Sequence, residues 1–276
     1  MSPEITPRPV RSVGIVGCGR MGSEMAGHLL DAGWPVAVTD PAPEPVERLR
    51  ARGARTFDDA ATLAAASDLV LVVVVDDAQV RQVLEGAAGV LAAARPGTVV
   101  GICASVHPRT CIELAAAGRE RDVVVIDVAL VGGERGAEQA NMTLLCGGPP
   151  EAVRAAEAAF APMATTVIHV GEVGSGQVAK TANNVLMWAA LRIDVEALRL
   201  ARAYGVSPGV LRPILSVGTG ANRPLEEWGM HRLRWPTKDL LVASAMADEI
   251  GLEVPLIDGL APLMEALSVD DLRDLR

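Results

Sequence analysis

The sequence predicts an α/β protein: a doubly wound parallel sheet at residues 1–171, then an all-α domain at 172–276, joined by a long helix at about 174–204. Three observations carry this. Short β-branched runs alternate with alanine-rich segments of helical spacing as far as about residue 170. The first run is closed by the glycine pattern GCGRMG. Beyond residue 174 the strand-like runs stop and every later segment has helical periodicity.

The elements follow in order. SVGIVG (12–17), PVAVTD (35–40), DLVLVVVV (68–75), GTVVGI (97–102) and DVVVIDV (122–128) are apolar and β-branched. Continuous apolar strands of this kind belong to a parallel sheet covered on both faces. NMTLLCGG (141–148) and TTVIHVG (165–171) extend the pattern, and segments such as RMGSEMAGHLLDAG supply the intervening helices. From Gln177 to Val195 and on to YGVSP (204–208) no proline or glycine interrupts the chain. That helix, about 30 residues long, spans on the order of 45 Å and is expected to be buried between the domains. Gly205 suits its C-terminal cap and Pro208 the start of the next helix. Further helices are predicted at 207–218, 237–251 and 255–268, with a loop or short helix at 219–235.

The first turn carries chemistry. A lone GxGxxG is a weak signal, but here it ends a strand and opens a helix, the context of a dinucleotide site. Gly17 permits the turn, Gly19 admits a pyrophosphate and Gly22 lets helix pack on strand. The free N–H groups of the helix start then face the phosphates. Asp40 ends the second strand, 18 residues beyond Gly22, where a carboxylate accepts from the ribose hydroxyls and repels a 2′-phosphate. Pro41 and Ala42 follow, with no adjacent arginine. NAD is therefore favoured, with NADP possible.

A net charge of −9 disfavours a nucleic-acid partner, which needs a basic footprint. Cys18, Cys103, Cys111 and Cys146 lack metal spacing and read as reduced thiols of a cytoplasmic protein. The opening MSPEITPRPV lacks the basic and apolar regions of a signal peptide. No uncharged run approaches the roughly 20 residues of a membrane span.

The segment GSGQVAKTANNVLMW (174–188) places a lysine in a largely apolar helix. Lys180, Asn183 and Asn184 lie at i, i+3 and i+4 and share one face. Gly174 and Gly176 remove side chains where a ligand approaches. A lysine partly withdrawn from water has its pKa lowered toward neutrality and can take a proton from an alcohol or return one to a carbonyl oxygen. Protonated, it stabilises a developing alkoxide. A surface lysine with its head in solvent is the competing reading.

Three blocks resemble the β-hydroxyacid dehydrogenase family, which includes 3-hydroxyisobutyrate dehydrogenase and tartronate semialdehyde reductase: GIVGCGRMGSEMAGHLLDAGWPVAVTD, GEVGSGQVAKTANN and KDLLVASAMADEIGLEVP. The likeness spans most of residues 12–265. It implies an N-terminal Rossmann domain and a helical domain like the C-terminal part of 6-phosphogluconate dehydrogenase, around a long shared helix. It implies NAD(P)-dependent hydride transfer, with Lys180 as acid/base and Asn184 orienting the substrate. Gly17, Gly19, Arg20, Met21, Gly22, Asp40, Val75, Asp76, Ser105 and Lys238 would line the cofactor, with Asp239 beside Lys238. Val131, Gly132, Gly133, Asn184 and Lys238 would line the substrate. A homodimer or homotetramer is implied too.

Two departures bear on the substrate. Where the family reads aspartate, two small or proline positions and then serine before paired glycines, this chain reads DVALVGG, so Val131 replaces a carboxylate-binding hydroxyl. Where a strand end often carries serine-threonine, it reads CASVHP, with Ala104 and Ser105. A pocket lacking both hydroxyls favours a bulkier or less polar 3-hydroxy acid, or another carbonyl compound. Two other readings stay open: an imine reductase-like enzyme, a class that usually lacks this lysine, and a catalytically inactive nucleotide-binding protein.

The remaining candidates weigh less. His107, after the fifth strand, is read either as a group near the nicotinamide or as a capping or surface residue. His28, His169 and His231 lack partners at ligand spacing, so no metal is expected. Asp127 is read as a helix cap or as a support of the glycine loop. GERGAEQA (133–140) is read as a solvated helix face, and Trp228 and Trp235 as site covers, subunit contacts or core.

Overall fold

The computed structural model describes residues 5–276. The first four, part of the opening from which the lack of a signal peptide was read, lie outside the described residues. The chain divides into two compact units, Met1–Lys180 and Thr181–Arg276.

The first unit alternates strand and helix: β1 Val13–Val16, α1 Arg20–Asp31, β2 Val36–Thr39, α2 Pro43–Ala51, β3 Arg55–Thr56, α3 Ala60–Ala65 and β4 Leu69–Val72. Then come α4 Asp77–Glu85, α5 Val90–Ala93, β5 Val99–Ile102, α6 Pro108–Arg119 and β6 Val124–Val131. The sheet closes with α7 Gly133–Glu138, β7 Met142–Gly147, α8 Pro150–Phe160 and β8 Ala164–Gly171. Its strand order is β3-β2-β1-β4-β5-β6-β7-β8. Strands β1, β2, β4, β5 and β6 are buried on both faces, which is why they read as unbroken apolar runs, whereas β3 and most of β8, at the two edges of the sheet, are exposed. In β4, Leu69 and Leu71 enter one aliphatic core with Ile15, Leu29 and Phe160. Val70 and Val72 enter the other with Leu63, Ile102 and Leu114.

Neighbouring strands are parallel except at β6–β7, which pair antiparallel, Asp127 opposite Gly147 and Val131 opposite Thr143. Residues 132–141, which join them, are fewer than a parallel crossover needs. With α8 as the crossover, β8 returns parallel to β7.

Helix α9 runs Ser175–Ala203, 29 residues, from the first unit into the second. It stops just before Gly205, as the sequence implied. Within the helical unit its burial is confined to one side. Its Trp188, Leu191, Val195 and Leu198 join the core of the helical unit, but Leu186, Ile193 and Leu200 are 72%, 59% and 63% exposed. The core stripe at i, i+3, i+7 and i+10 covers one side only, and Leu186, Ile193 and Leu200 form a second apolar stripe off it.

The second unit continues with α10 Pro208–Leu215, α11 Arg223–Glu226, α12 Pro236–Glu249, α13 Pro255–Glu265 and α14 Val269–Arg273. Residues 219–235 hold only the short α11. Trp228 is core, its indole N–H donating to the Leu272 carbonyl at 3.0 Å, whereas Trp235 is half exposed. Among the described residues no helix is long and apolar enough to cross a membrane.

Candidate functional site

The sheet order reverses at β1, whose neighbours are β2 and β4. Ligands of open α/β sheets bind at the carboxyl ends of strands flanking such a point. Here those ends carry Gly17–Gly22 after β1 and Val73–Asp76 after β4. Gly17 has φ +98°, and a Cβ on it would strike the Val73 carbonyl. A Cβ on Gly22 would strike the Gly17 carbonyl, so the turn closes only with glycine at both places. Above Gly19 there is open space. Gly19 is the N-cap of α1, and no side chain caps the helix. Its first N–H groups, beside Arg20 and Met21, are thus presented as an anion cradle.

Asp40 stands beside this turn. Its Oδ2 accepts from the Cys18 N–H at 2.6 Å and its Oδ1 from the Ala42 N–H at 2.7 Å. The carboxylate is thereby fixed on the turn, with lone pairs left for hydroxyl donors. Burial, and then the Asp40 charge, push the Cys18 thiol up to about 12, so it stays protonated. All four cysteines are free and buried.

Val75 is half exposed, its N–H donating to Gln79 Oε1. Asp76 caps α4, accepting from the Gln79 N–H at 2.9 Å. His107 caps α6, its Nδ1 accepting from the Arg109 N–H at 3.2 Å. His28, His169 and His231 each meet a backbone carbonyl.

At the same sheet edge, β5 leads into Ala104–His107 and β6 into Val131–Gly133. Ser105 is met by Lys180, whose Nζ donates to Ser105 Oγ at 2.5 Å. A hydroxyl therefore remains at this strand end, one residue beyond Ala104. Val131 ends β6, and Gly132 is the N-cap of α7, again without a side-chain cap. The segment read as a solvated helix face is more than that. Gly136 and Ala137 are buried, and Glu134 pairs with Arg20 at 2.9 Å, tying the α7 turn to the α1 turn. Proximity of two loops 114 residues apart left no trace in the local sequence.

Asp127 is fully buried. Its Oδ1 accepts from the Gly174 N–H at 2.6 Å and its Oδ2 from the Gln177 N–H at 2.9 Å, so it holds the N-terminal turn of α9. Burial raises its pKa, and these N–H donors act against the rise. The expectation that Gly174 and Gly176 clear room for a ligand is corrected by this contact. A Cβ on Gly176 would strike the Leu145 carbonyl and come within 2.6 Å of Asp127 Oδ2, and one on Gly174 would lie 3.2 Å from the Pro108 carbonyl. The protein's own chain fills the space.

In the helical unit, Asn184 Nδ2 donates to Asp239 Oδ2 at 3.0 Å, and the Trp188 indole donates to the same oxygen at 3.0 Å. Asn183 Nδ2 donates to Asn184 Oδ1 at 3.1 Å. Lys238 and Asp239 lie in the first turn of α12. Sequence reasoning had not singled out Trp188 or Gln177. Their side chains act on residues 51 and 73 positions away, beyond any periodicity.

The model of the NAD-binding domain of 6-phosphogluconate dehydrogenase matches residues 12–171, and that for NAD-binding of NADP-dependent 3-hydroxyisobutyrate dehydrogenase matches 174–275. The NAD-dependent L-serine dehydrogenase of Pseudomonas aeruginosa is 31% identical over 88% of this chain and 84% of its own length. The chain belongs to the β-hydroxyacid dehydrogenase family. Another relative in this family, the 3-hydroxyisobutyrate dehydrogenase of P. aeruginosa, is 29% identical over 88% of each chain. The Mycobacterium tuberculosis 3-hydroxyisobutyrate dehydrogenase structure with L-serine superposes with TM-score 0.87, at 26% identity, over 97% of this chain and 99% of that one. As a β-hydroxyacid dehydrogenase the protein is an NAD(P)-dependent oxidoreductase acting on a small molecule, and the open cradle at Gly19 fits the cofactor's pyrophosphate.

Proposed function

We infer that the protein interconverts a 3-hydroxy acid and its semialdehyde with NAD, using Lys180 as general acid/base and Asn184 to orient the substrate. The observation that carries this is the Lys180–Ser105 contact at the carboxyl end of β5, on the sheet edge that also bears the glycine turn. When bound, NAD supplies a hydride acceptor and NADH a hydride donor. Neutral Lys180 takes the proton of the substrate hydroxyl as the carbinol carbon is oxidised, and protonated Lys180 returns it to the carbonyl oxygen on reduction. Asn184, its amide fixed by Asp239 and Asn183, hydrogen-bonds substrate without adding charge. Lys238 adds a positive charge on α12 for cofactor or substrate.

Gly17, Gly19 and Gly22 with Arg20 and Met21 take the pyrophosphate, and Val75, Asp76 and Ser105 line the cofactor. Asp40 supports NAD over NADP, because a fixed carboxylate accepts ribose hydroxyls and repels a 2′-phosphate. The Gly132 and Gly133 N–H groups receive the substrate carboxylate. Val131 offers no hydroxyl there, which supports a less polar acid than the family's usual one. The names of the relatives make L-serine and 3-hydroxyisobutyrate the first compounds to try. The exposed Leu186, Ile193 and Leu200, seven residues apart on α9, support association with a second copy. Four unpaired, buried thiols support a cytoplasmic setting.

The test follows NADH absorbance for the native chain and Lys180→Met with NAD and NADP against 3-hydroxy acids, then with the reduced cofactors against semialdehydes and cyclic imines. Turnover of one hydroxy acid with NAD is expected, lowered about 10²–10⁴-fold in the variant with NAD affinity retained. Undiminished turnover by Lys180→Met sinks the lysine's role. Preference for NADP sinks the reading of Asp40, and turnover of imines alone moves the enzyme to the imine reductases.

A further inference from the structure

We propose that Gln177 is a positioning residue for the proposed acid/base: its side-chain amide clamps the two peptides that flank Ser105 and so sets the hydroxyl that Lys180 meets. The inference rests on the assignment of Lys180 above.

Gln177 Nε2 donates to the Ala104 carbonyl at 2.9 Å. Gln177 Oε1 accepts from the Val106 N–H at 3.3 Å. One amide thus satisfies the backbone on both sides of a single residue, and that residue is Ser105. The clamp is dry: Gln177 is 2% exposed, Ala104 3% and Val106 1%. The amide has only one useful orientation, because the reverse one would set N–H against N–H and carbonyl against carbonyl.

The other end of the clamp is equally fixed. The Gln177 backbone N–H donates to Asp127, which also holds Gly174. Asp127 lies on β6, paired with Ile102 at the end of β5. The side chain of Gln177 therefore grips the loop after β5 while its backbone is held by the strand beside β5. Lys180 follows three residues later on the same helix, just under one turn. Its Nζ meets Ser105 Oγ at 2.5 Å from a helix start and a loop that Gln177 fastens together. A glutamine chosen only for volume would need neither polar contact. A buried amide with both ends used is costly to leave half-paired, so the two peptides beside Ser105 are pinned wherever Gln177 stands.

Chemically the arrangement gives Ser105 a defined place and leaves its own O–H able to donate away from the lysine. Lys180 is held at one end of its flexible stem, so less side-chain freedom is lost when substrate arrives. The effect belongs in kcat rather than in cofactor affinity.

The experiment compares native chain, Gln177→Met, Gln177→Glu and Lys180→Met in the full protein, with L-serine, 3-hydroxyisobutyrate and NAD as probes, and determines crystal structures of the native chain and Gln177→Met. Methionine keeps the volume and removes both arms. Glutamate keeps the acceptor, but its ionised second oxygen opposes the Ala104 carbonyl. Protonated glutamic acid restores a donor there. We expect Gln177→Met to lower kcat at least tenfold, with KM and NAD affinity changed less than threefold. Its Lys180 Nζ to Ser105 Oγ distance should exceed 3.5 Å. For Gln177→Glu, the ratio of its rate to the native rate should rise as pH falls, because burial raises a carboxyl pKa into the measurable range. A role in folding alone would lower the melting temperature of both Gln177 variants, but rates expressed per mole of folded enzyme would stay native at every pH. The proposal is overturned if Gln177→Met keeps the native kcat or the native Lys180–Ser105 contact, or if the Gln177→Glu ratio is flat with pH. Full activity of Lys180→Met would instead overturn the assignment of the lysine, and the crystallographic distance would still decide whether Gln177 sets the contact.

Discussion

Lys180 and Asn184 stand one turn apart on α9, yet they are held in different ways. Around Lys180 the supports act through the backbone. Asp127 takes the N–H groups of Gly174 and Gln177, and Gln177 takes the peptides around Ser105. Both supports are buried, Asp127 on β6 and Gln177 in the first turn of α9, and the loop they hold follows β5. Around Asn184 every bond is between side chains, and its anchor, Asp239, comes from another helix, α12. A backbone clamp fixes a loop as a body and tolerates changes in the residues it grips. A side-chain triad fixes one amide and depends on each member.

The comparison breaks first at Asp127. Asp127→Ala leaves the Gly174 and Gln177 N–H groups buried without acceptors, at about 1–3 kcal/mol each. The whole start of α9 should loosen, with a denaturant midpoint lowered by the equivalent of about 3 kcal/mol and activity lost with it. A native midpoint would mean that the clamp carries no stability. Asp239→Ala comes next. It frees the Asn184 amide and the Trp188 indole, and kcat should fall roughly tenfold, the equivalent of about 1.4 kcal/mol, with little change in the melting temperature. If stability falls and kcat does not, Asp239 serves the helical core instead. Trp188→Phe keeps the ring and removes one donor, so Asn184 still reaches Asp239. A loss under threefold in kcat is expected, and a larger one would make the indole N–H a full partner in orienting Asn184.

The smallest effect concerns Asp194, also on α9. It is buried, its Oδ1 accepts from Asn222 at 3.0 Å, and its Oδ2 has no partner. Burial raises its pKa, and the Asn222 hydrogen bond and the His231 charge only partly offset the rise. A raised folded-state value means that the protonated form fits the fold better. Its contribution is full below the ordinary aspartate range and is lost as pH rises through the folded value. The native chain should therefore lose stability relative to Asp194→Asn over that rise. Urea midpoints of the two chains that stay parallel across the acid range would refute the assignment.

Much of this was legible in the sequence for physical reasons. The glycine turn was readable because most of its demands are local: Gly17 adopts a positive φ and Gly22 packs on the Gly17 carbonyl, whereas the close approach of the Val73 carbonyl to Gly17 comes from a distant strand end. The shared face of Lys180 and Asn184 followed from helical spacing. The supports were not readable, since Gln177 acts on a loop 73 residues away and Asn184 on a carboxylate 55 residues away. Gly176 was misread because a glycine before a polar residue signals space without saying what occupies it. The exposed stripe of Leu186, Ile193 and Leu200 was missed because a helix apolar on two sides reads as buried.

The antiparallel pairing of β6 with β7 has a consequence for the lysine. It makes β8 run back alongside β7 and end level with Gly147 and Asp127, at the height where β5 also ends. The helix is thus launched beside the strand end that it serves. Each residue of α-helix turns by about 100°. One residue inserted between Gln177 and Lys180 would therefore swing the ammonium by that angle while leaving every strand in place. The fold acts as a clockwork stop for α9: the sheet fixes the zero of rotation, and three residues of helix decide where the amine points.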